Sequence, residues 1–179
     1  MNEFLFRIFN ALIGHSNIID SVVYFLAQPT ALLATLALGA YAGYEIMRTR
    51  ERPQGKEVLR KWVLVFIAAF IAWFVGNLLQ GFIASPRPFL DLPDAKLLFP
   101  YGDRGSFPSG HTAFLSGLTA AVCFFSQGKR LVWILLAVTL SVGFARVAAG
   151  VHWPLDIVGG IVLGSAVAWG VFKMKEHFE

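Results

Sequence analysis

With 179 residues, 56% of them apolar and 15% charged, the chain lies far from the composition of a soluble globular domain. Its mean hydropathy of +0.64 points to a membrane protein, and its net charge of +4 comes mostly from one loop, which marks it as a topology signal and argues against nucleic-acid binding. The single cysteine, Cys123, rules out a disulfide within the chain.

Residues 1 to 20 carry Phe4, Leu5, Phe6, Ile8, Phe9, Leu12 and Ile13, interrupted by Arg7 and Asn10. The segment is too short and too polar to span a bilayer, so an amphipathic helix lying in the interface is expected. Its acidic start and lack of a small-residue cleavage site argue against a cleaved signal peptide. His15 reads as a surface residue. The first span is expected over 21–44, kinked at Pro29, with Gly39 and Gly43 spaced for close helix contact. Arg48, Arg50, Arg52, Lys56, Arg60 and Lys61 follow, a basic loop that the positive-inside rule assigns to the cytoplasm.

The second span, 62–83, ends with Gly76, Asn77 and Gln80, polar or small residues suited either to interhelical packing or to a ligand. The loop from Ala84 to Phe107 holds four prolines together with Arg87, Asp91, Asp94, Lys96, Asp103 and Arg104. Loops of that length tend to carry function. The third span, 109–125, leads into the basic turn Gln127-Gly128-Lys129-Arg130, again cytoplasmic by charge. The fourth, 131–149, travels outward and carries Arg146 to the side of Arg87 and Ser109. The fifth, 154–172, opens on Pro154, and Gly160, Gly164 and Ala168 should let it pack tightly. Trp62, Trp133, Trp153 and Trp169 fall near span ends as an aromatic belt, while Trp73 lies mid-span and is expected to pack.

This topology, with the N-terminus outside, uses only the loop charges. It nevertheless brings Arg87, Ser109, His111, Arg146, His152 and Asp156 to the outer ends of spans two to five. Charged groups at one depth on one side of a membrane protein are a functional hypothesis by default. Ser109 at the start of the third span, with the N–H groups of Gly110 and His111, suits an anion, phosphate above all. Arg87 and Arg146 each offer a planar fork to phosphate oxygens. His152 is then the candidate nucleophile, oriented by Asp156 four residues on, and His111 remains to protonate the departing oxygen. Water would release the phosphohistidine. The bland alternatives are a simple helix cap for Ser109, a structural ion pair between Arg146 and Asp156, and a non-catalytic membrane scaffold or anion-binding transporter. The absence of an inverted repeat argues against the transporter.

At these residues the chain resembles the type 2 phosphatidic acid phosphatase superfamily, whose soluble relatives include the vanadium haloperoxidases. The family pattern is Lys, six residues, Arg-Pro; Pro-Ser-Gly-His; and Ser-Arg, five residues, His, three residues, Asp. Here Pro108-Ser109-Gly110-His111 is complete, Ala145-Arg146, His152 and Asp156 form the third part, and Arg87-Pro88 is preceded by Gln80 where Lys is usual. The resemblance covers about Asn77 to Gly164. It implies His152 as nucleophile, Asp156 as its partner, His111 as acid, and Arg87, Arg146, Ser109 and Gly110 as phosphate ligands. It implies no metal and no cofactor. Either Gln80 donates a neutral hydrogen bond in its place, or Arg104 or Lys96 from the loop supplies the missing cation.

The expectation is therefore an all-α polytopic membrane helix bundle of about five transmembrane helices plus an N-terminal interfacial helix, one integral membrane phosphatase domain over 1–179. It would sit in the inner membrane with its site facing the periplasm or exterior, its partners being a lipid phosphate or pyrophosphate and the bilayer, with no obligate protein partner. Short length and the local runs at Arg87-Pro88-Phe89 and Val151-His152-Trp153-Pro154 resemble the small bacterial members that act on undecaprenyl pyrophosphate. Phosphatidylglycerophosphate, phosphatidic acid and lipid A phosphate are the alternatives.

Overall fold

The computed structural model describes residues 1–102, 104–126 and 128–177, so Asp103 of the loop and Gln127 of the basic turn lie outside the described residues. Among those described, every regular element is a helix: α1 (Asn2–Asn10), α2 (Asn17–Ala27), α3 (Pro29–Thr49), α4 (Gly55–Ile83), α5 (Pro88–Asp91), α6 (Gly110–Phe125), α7 (Lys129–Ala148) and α8 (Pro154–His177). Helices are what a bilayer demands, because each satisfies its backbone groups internally. Four helical stretches, beginning at Pro29, Gly55, Lys129 and Pro154, are long and apolar enough to cross a membrane. The protein is a multi-pass membrane protein, and exposed Phe70, Phe74, Ile134 and Val162 suit a lipid-facing surface.

The third span, α6, has only 16 residues, or about 24 Å. It is the central helix, packed by α4, α7 and α8. A helix sheathed in protein need not reach both surfaces, because neighbouring backbone and side chains meet its end groups. Its contact with α8 depends on two glycines. A Cβ added at Gly160 would stand 2.7 Å from the Ser109 carbonyl oxygen, and one at Gly164 would run into Ser116 and the Ala113 backbone. Ser116 Oγ donates to the Gly160 carbonyl across this seam (3.1 Å). The small-residue spacing of the fifth span therefore does what its pattern predicts.

Several expectations need correction. The first span is not one kinked helix: the chain breaks at Gln28 and restarts at Pro29, whose missing N–H suits a first helical position. A Cβ at Gly39 or Gly43 would meet nothing within 4 Å, so among the described residues no close helix contact depends on either glycine. The N-terminal helix is amphipathic but only partly interfacial. Phe6 is buried against Trp153, with ring centroids 5.2 Å apart, while Phe4 and Ile8 stay exposed. Two of the belt tryptophans are buried: Trp62 donates Nε1–H to Glu45 (2.9 Å) and Trp153 donates to the Pro86 carbonyl (2.9 Å). Trp73, expected to pack, is 46% exposed.

The helix directions put the basic segment between α3 and α4 and the start of α7 at one end of the bundle. The ends of α4 and α7 and the starts of α6 and α8 meet at the other. There α1 serves as a clasp. Asn10 accepts from the Lys96 amide (2.9 Å) and donates to the carbonyls of Lys96 (2.8 Å) and Ala148 (2.9 Å). Arg7 pairs with Asp94, and together these contacts tie the long loop to the end of α7. Gly150, at φ +86°, lies where an added Cβ would strike the Lys96 carbonyl, so only glycine fits both the backbone angle and the space.

Candidate active site

The loop joining α7 to α8 turns His152 inward, where it is 1% exposed. Its Nδ1 lies 3.2 Å from Asp156 Oδ2, one turn into α8, as the four-residue spacing predicts. The same carboxylate oxygen accepts the Trp153 amide at 2.7 Å, so Asp156 is fixed by backbone before it fixes the imidazole. The other ring nitrogen, Nε2, faces Arg87 Nη1 at 3.4 Å. Burial, and then the charges of Arg146 and Arg87, hold the His152 pKa well below the ordinary imidazole range. In a neutral ring with Nδ1–H on the carboxylate, the Nε2 lone pair is unprotonated and faces the Arg87 guanidinium.

Arg87 follows α4 in the loop and is 2% exposed. Three of its N–H donors go to backbone carbonyls, those of Arg104 (2.8 Å), Val151 (2.7 Å) and Gly105 (3.1 Å). These bonds stitch the loop to the α7–α8 turn and fix the guanidinium beside His152. Arg146, on the last turn of α7, is fully buried. Its Nη1 donates to the Ala27 carbonyl at 3.4 Å, while Nε and Nη2 are buried with no acceptor among the described residues. Asp156 is not its partner, so the structural ion pair is not formed. A buried unsatisfied guanidinium is costly unless a ligand anion completes it.

Ser109 is the N-cap of α6 by position, yet its side chain makes no capping bond. Its amide donates to the Asp156 carbonyl (3.0 Å), and its Oγ accepts from Thr112 Oγ1 (3.1 Å), which leaves its own proton available. The simple-cap reading is therefore not what this serine does. The first turn of α6, Gly110 and His111, opens here with no side chain closing it. His111 is close enough to Arg146, His152 and Arg87 to feel all three electrostatically. On its other side it borders a groove of about 290 Å³ formed with Ala31, Leu32, Phe70, Trp73 and Phe114.

The residues expected to converge do so: Arg87, Ser109, Gly110, His111, Arg146, His152 and Asp156 are at one end of the bundle, within one cluster. Gln80 is adjacent and differently employed. Its Nε2 donates to the Pro108 carbonyl at 2.6 Å, which sets the backbone of the Pro-Ser-Gly-His turn. Lys96 does not replace the missing cation; its Nζ donates to the Ile13 carbonyl at 2.6 Å and lies 3.3 Å from His15. Arg104 is exposed and contributes its carbonyl to Arg87.

Two participants were not legible in the motifs. Tyr101 lies under the guanidinium carbons of both Arg87 (4.6 Å) and Arg146 (4.5 Å). Ser106, fully buried, bonds the Pro86 carbonyl. An aromatic residue in a loop rich in Pro, Gly and charge was the one available signal for Tyr101.

Comparison with known proteins bears on the family and the fold. The chain is 31% identical over 96% of its length to the bacitracin transport permease protein BcrC of Bacillus licheniformis, covering 79% of that protein. It is 27% identical over 98% of its length to undecaprenyl-diphosphatase BcrC of Bacillus subtilis, covering 85% of it. Among solved structures, Aquifex aeolicus LpxE matches with a TM-score of 0.69 at 25% identity, covering 96% of this chain and 94% of that one. The PAP2 superfamily model matches residues 60–178, and the chain accordingly belongs to the PAP2 superfamily, as a membrane-embedded lipid phosphatase.

Proposed function

We propose that the protein hydrolyses undecaprenyl pyrophosphate to undecaprenyl phosphate at the outer face of the cytoplasmic membrane, through a phosphohistidine on His152. The observation that carries the chemistry is the division of labour between the nitrogens of His152: Nδ1 is held by Asp156, and Nε2 faces Arg87. In the first step Nε2 attacks the terminal phosphorus, and the bond to the bridging oxygen breaks. Undecaprenyl phosphate leaves with a proton from His111. In the second step His111 takes a proton from water as that water attacks the phosphohistidine, releasing inorganic phosphate. Arg87, Arg146, Ser109 and the amides at the start of α6 stabilise the charge spread over the equatorial oxygens. No step calls for a metal or cofactor.

A substrate with a long apolar tail is supported by the groove beside His111, whose lining is aliphatic and aromatic apart from Thr35 and His111 itself. The undecaprenyl pyrophosphate assignment is supported by the two relatives that match almost the full chain, one of them named as an undecaprenyl-diphosphatase. A second reading, a lipid A 1-phosphate monoesterase, is supported by the likeness to LpxE and by a Rhizobium johnstonii lipid A 1-phosphatase 28% identical over 69% of the chain. Purified protein assayed in EDTA against undecaprenyl pyrophosphate, phosphatidylglycerophosphate, phosphatidic acid and lipid A separates them by kcat/KM. The expected result is preference for the pyrophosphate, with release abolished in His152→Ala and His111→Ala. Preference for a monoester, or full activity in both variants, overturns the reading.

A further inference from the structure

We propose that Tyr101 is a positioning residue of the phosphate site: its ring is the platform that holds both Arg87 and Arg146 in place. The two guanidinium groups are both buried, 2% and 0% exposed, and they carry like charge at close quarters. Each repels the other, and Asp156 is engaged with His152 and the Trp153 amide. The electron-rich face of an aromatic ring is one group that attracts a cation without taking up its N–H donors. Tyr101 serves both cations at once, with centroid distances of 4.6 and 4.5 Å, and its ring is 6.4 Å from that of His152.

The donor inventory shows what this arrangement preserves. A guanidinium has five N–H donors. Arg146 keeps Nε and Nη2 without an acceptor among the described residues, and Arg87 spends three donors on backbone carbonyls and points Nη1 toward His152. A carboxylate in the place of the ring would claim those donors, whereas the ring leaves them for phosphate oxygens. The ring is itself in edge contact with Phe99, 6.3 Å away, which packs on Tyr24 at 5.7 Å and lies 5.9 Å from the Arg146 guanidinium carbon. The strap that carries it is anchored on one side by the Leu98 amide on the Ala149 carbonyl (3.1 Å). On the other it is anchored by the Ser106 amide on the Ser85 carbonyl (2.8 Å).

This inference rests on the reading of the cluster as a phosphate site, and the test separates the two. Inorganic phosphate is titrated calorimetrically into the full chain in detergent micelles, and lipid pyrophosphate turnover is measured on the same preparations. Tyr101→Phe keeps the ring and is expected to bind phosphate within about twofold of wild type. Tyr101→Leu fills similar space without a π face and is expected to bind about tenfold more weakly, with KM raised more than kcat is lowered. Tyr101→Met is a second non-aromatic filler should the leucine variant misfold. Equal phosphate affinity in the phenylalanine and non-aromatic variants overturns the platform while leaving the phosphate site standing. A wild type that neither binds phosphate nor hydrolyses a lipid phosphate overturns the site, and the platform with it.

Discussion

Asp156 accepts from two donors on a single carboxylate oxygen, the Trp153 amide and His152 Nδ1, and this doubling makes its charge, rather than its shape, the quantity to test. Asp156→Asn keeps the volume but loses the negative charge that supports an imidazolium-like phosphohistidine. Turnover is expected to fall by about 10²- to 10⁴-fold with little change in phosphate affinity. The pH profile follows from the same group. Because burial and two guanidiniums lower the His152 pKa, the imidazole remains neutral as pH falls through the ordinary range near 6.5. The acid limb of kcat/KM assigned to it is expected below that value, and a limb at 6.5 or above would contradict the buried geometry. Arg146 gives the opposite kind of test. Two of its nitrogens, Nε and Nη2, are buried without an acceptor among the described residues, so Arg146→Met removes an unsatisfied charge and is expected to raise the thermal midpoint in detergent while abolishing activity. Phosphate should raise the midpoint of the wild type and leave that of the variant unmoved.

The α6–α8 seam shows how an element's packing becomes part of the site. Gly160 presses on the carbonyl of Ser109 and the amide of Ala113, the first turn of the helix that the site opens on. Gly160→Ala therefore has to push α6 away at its N-terminus. A destabilisation of about 1–3 kcal/mol is expected, read by thermal melting, together with a loss of kcat larger than that of an alanine placed at Gly39. This seam was readable in advance because Gly160, Gly164 and Ala168 repeat along one face. Gly39 and Gly43 have the same spacing, yet a Cβ added at either would meet no described atom within 4 Å, since spacing alone does not say whether a neighbour stands opposite. The break at Gln28 was likewise only half legible: Pro29 announced a disturbance, but whether a proline kinks a helix or restarts one depends on the residues around it. The clasp made by Asn10 had no local signal at all, because its partners lie 86 and 138 residues away.

At the scale of the whole molecule, two independent patterns agree. Most of the lysines and arginines lie around the α3–α4 turn, at the start of α7 and at the end of α8, at one end of the bundle, while Arg87, His111, Arg146, His152 and Asp156 collect at the other. The motif residues were legible because phosphoryl transfer limits which side chains can do the work, and helix periodicity fixes which end they reach. Tyr101 was not, because a platform for two cations is defined by what stacks on it and by nothing in the local sequence. The outer-face orientation remains the proposal that most constrains the biology, and the structure supplies better reporter positions than the loop charges alone. Lys96 is unsuitable, since its Nζ and backbone anchor the N-terminal segment. Gly102 lies in the same loop, is exposed, and would meet nothing with an added Cβ. Arg52, in the turn between α3 and α4, is exposed at the basic end. The native Cys123 is itself exposed, so the reporters are built on Cys123→Ala. An impermeant maleimide is expected to label Gly102→Cys in intact cells and Arg52→Cys only after permeabilisation, because moving the basic loop outward would oppose the positive-inside bias. The reverse pattern would put the histidines at the cytoplasmic leaflet, where a substrate released outside cannot reach them without first being flipped.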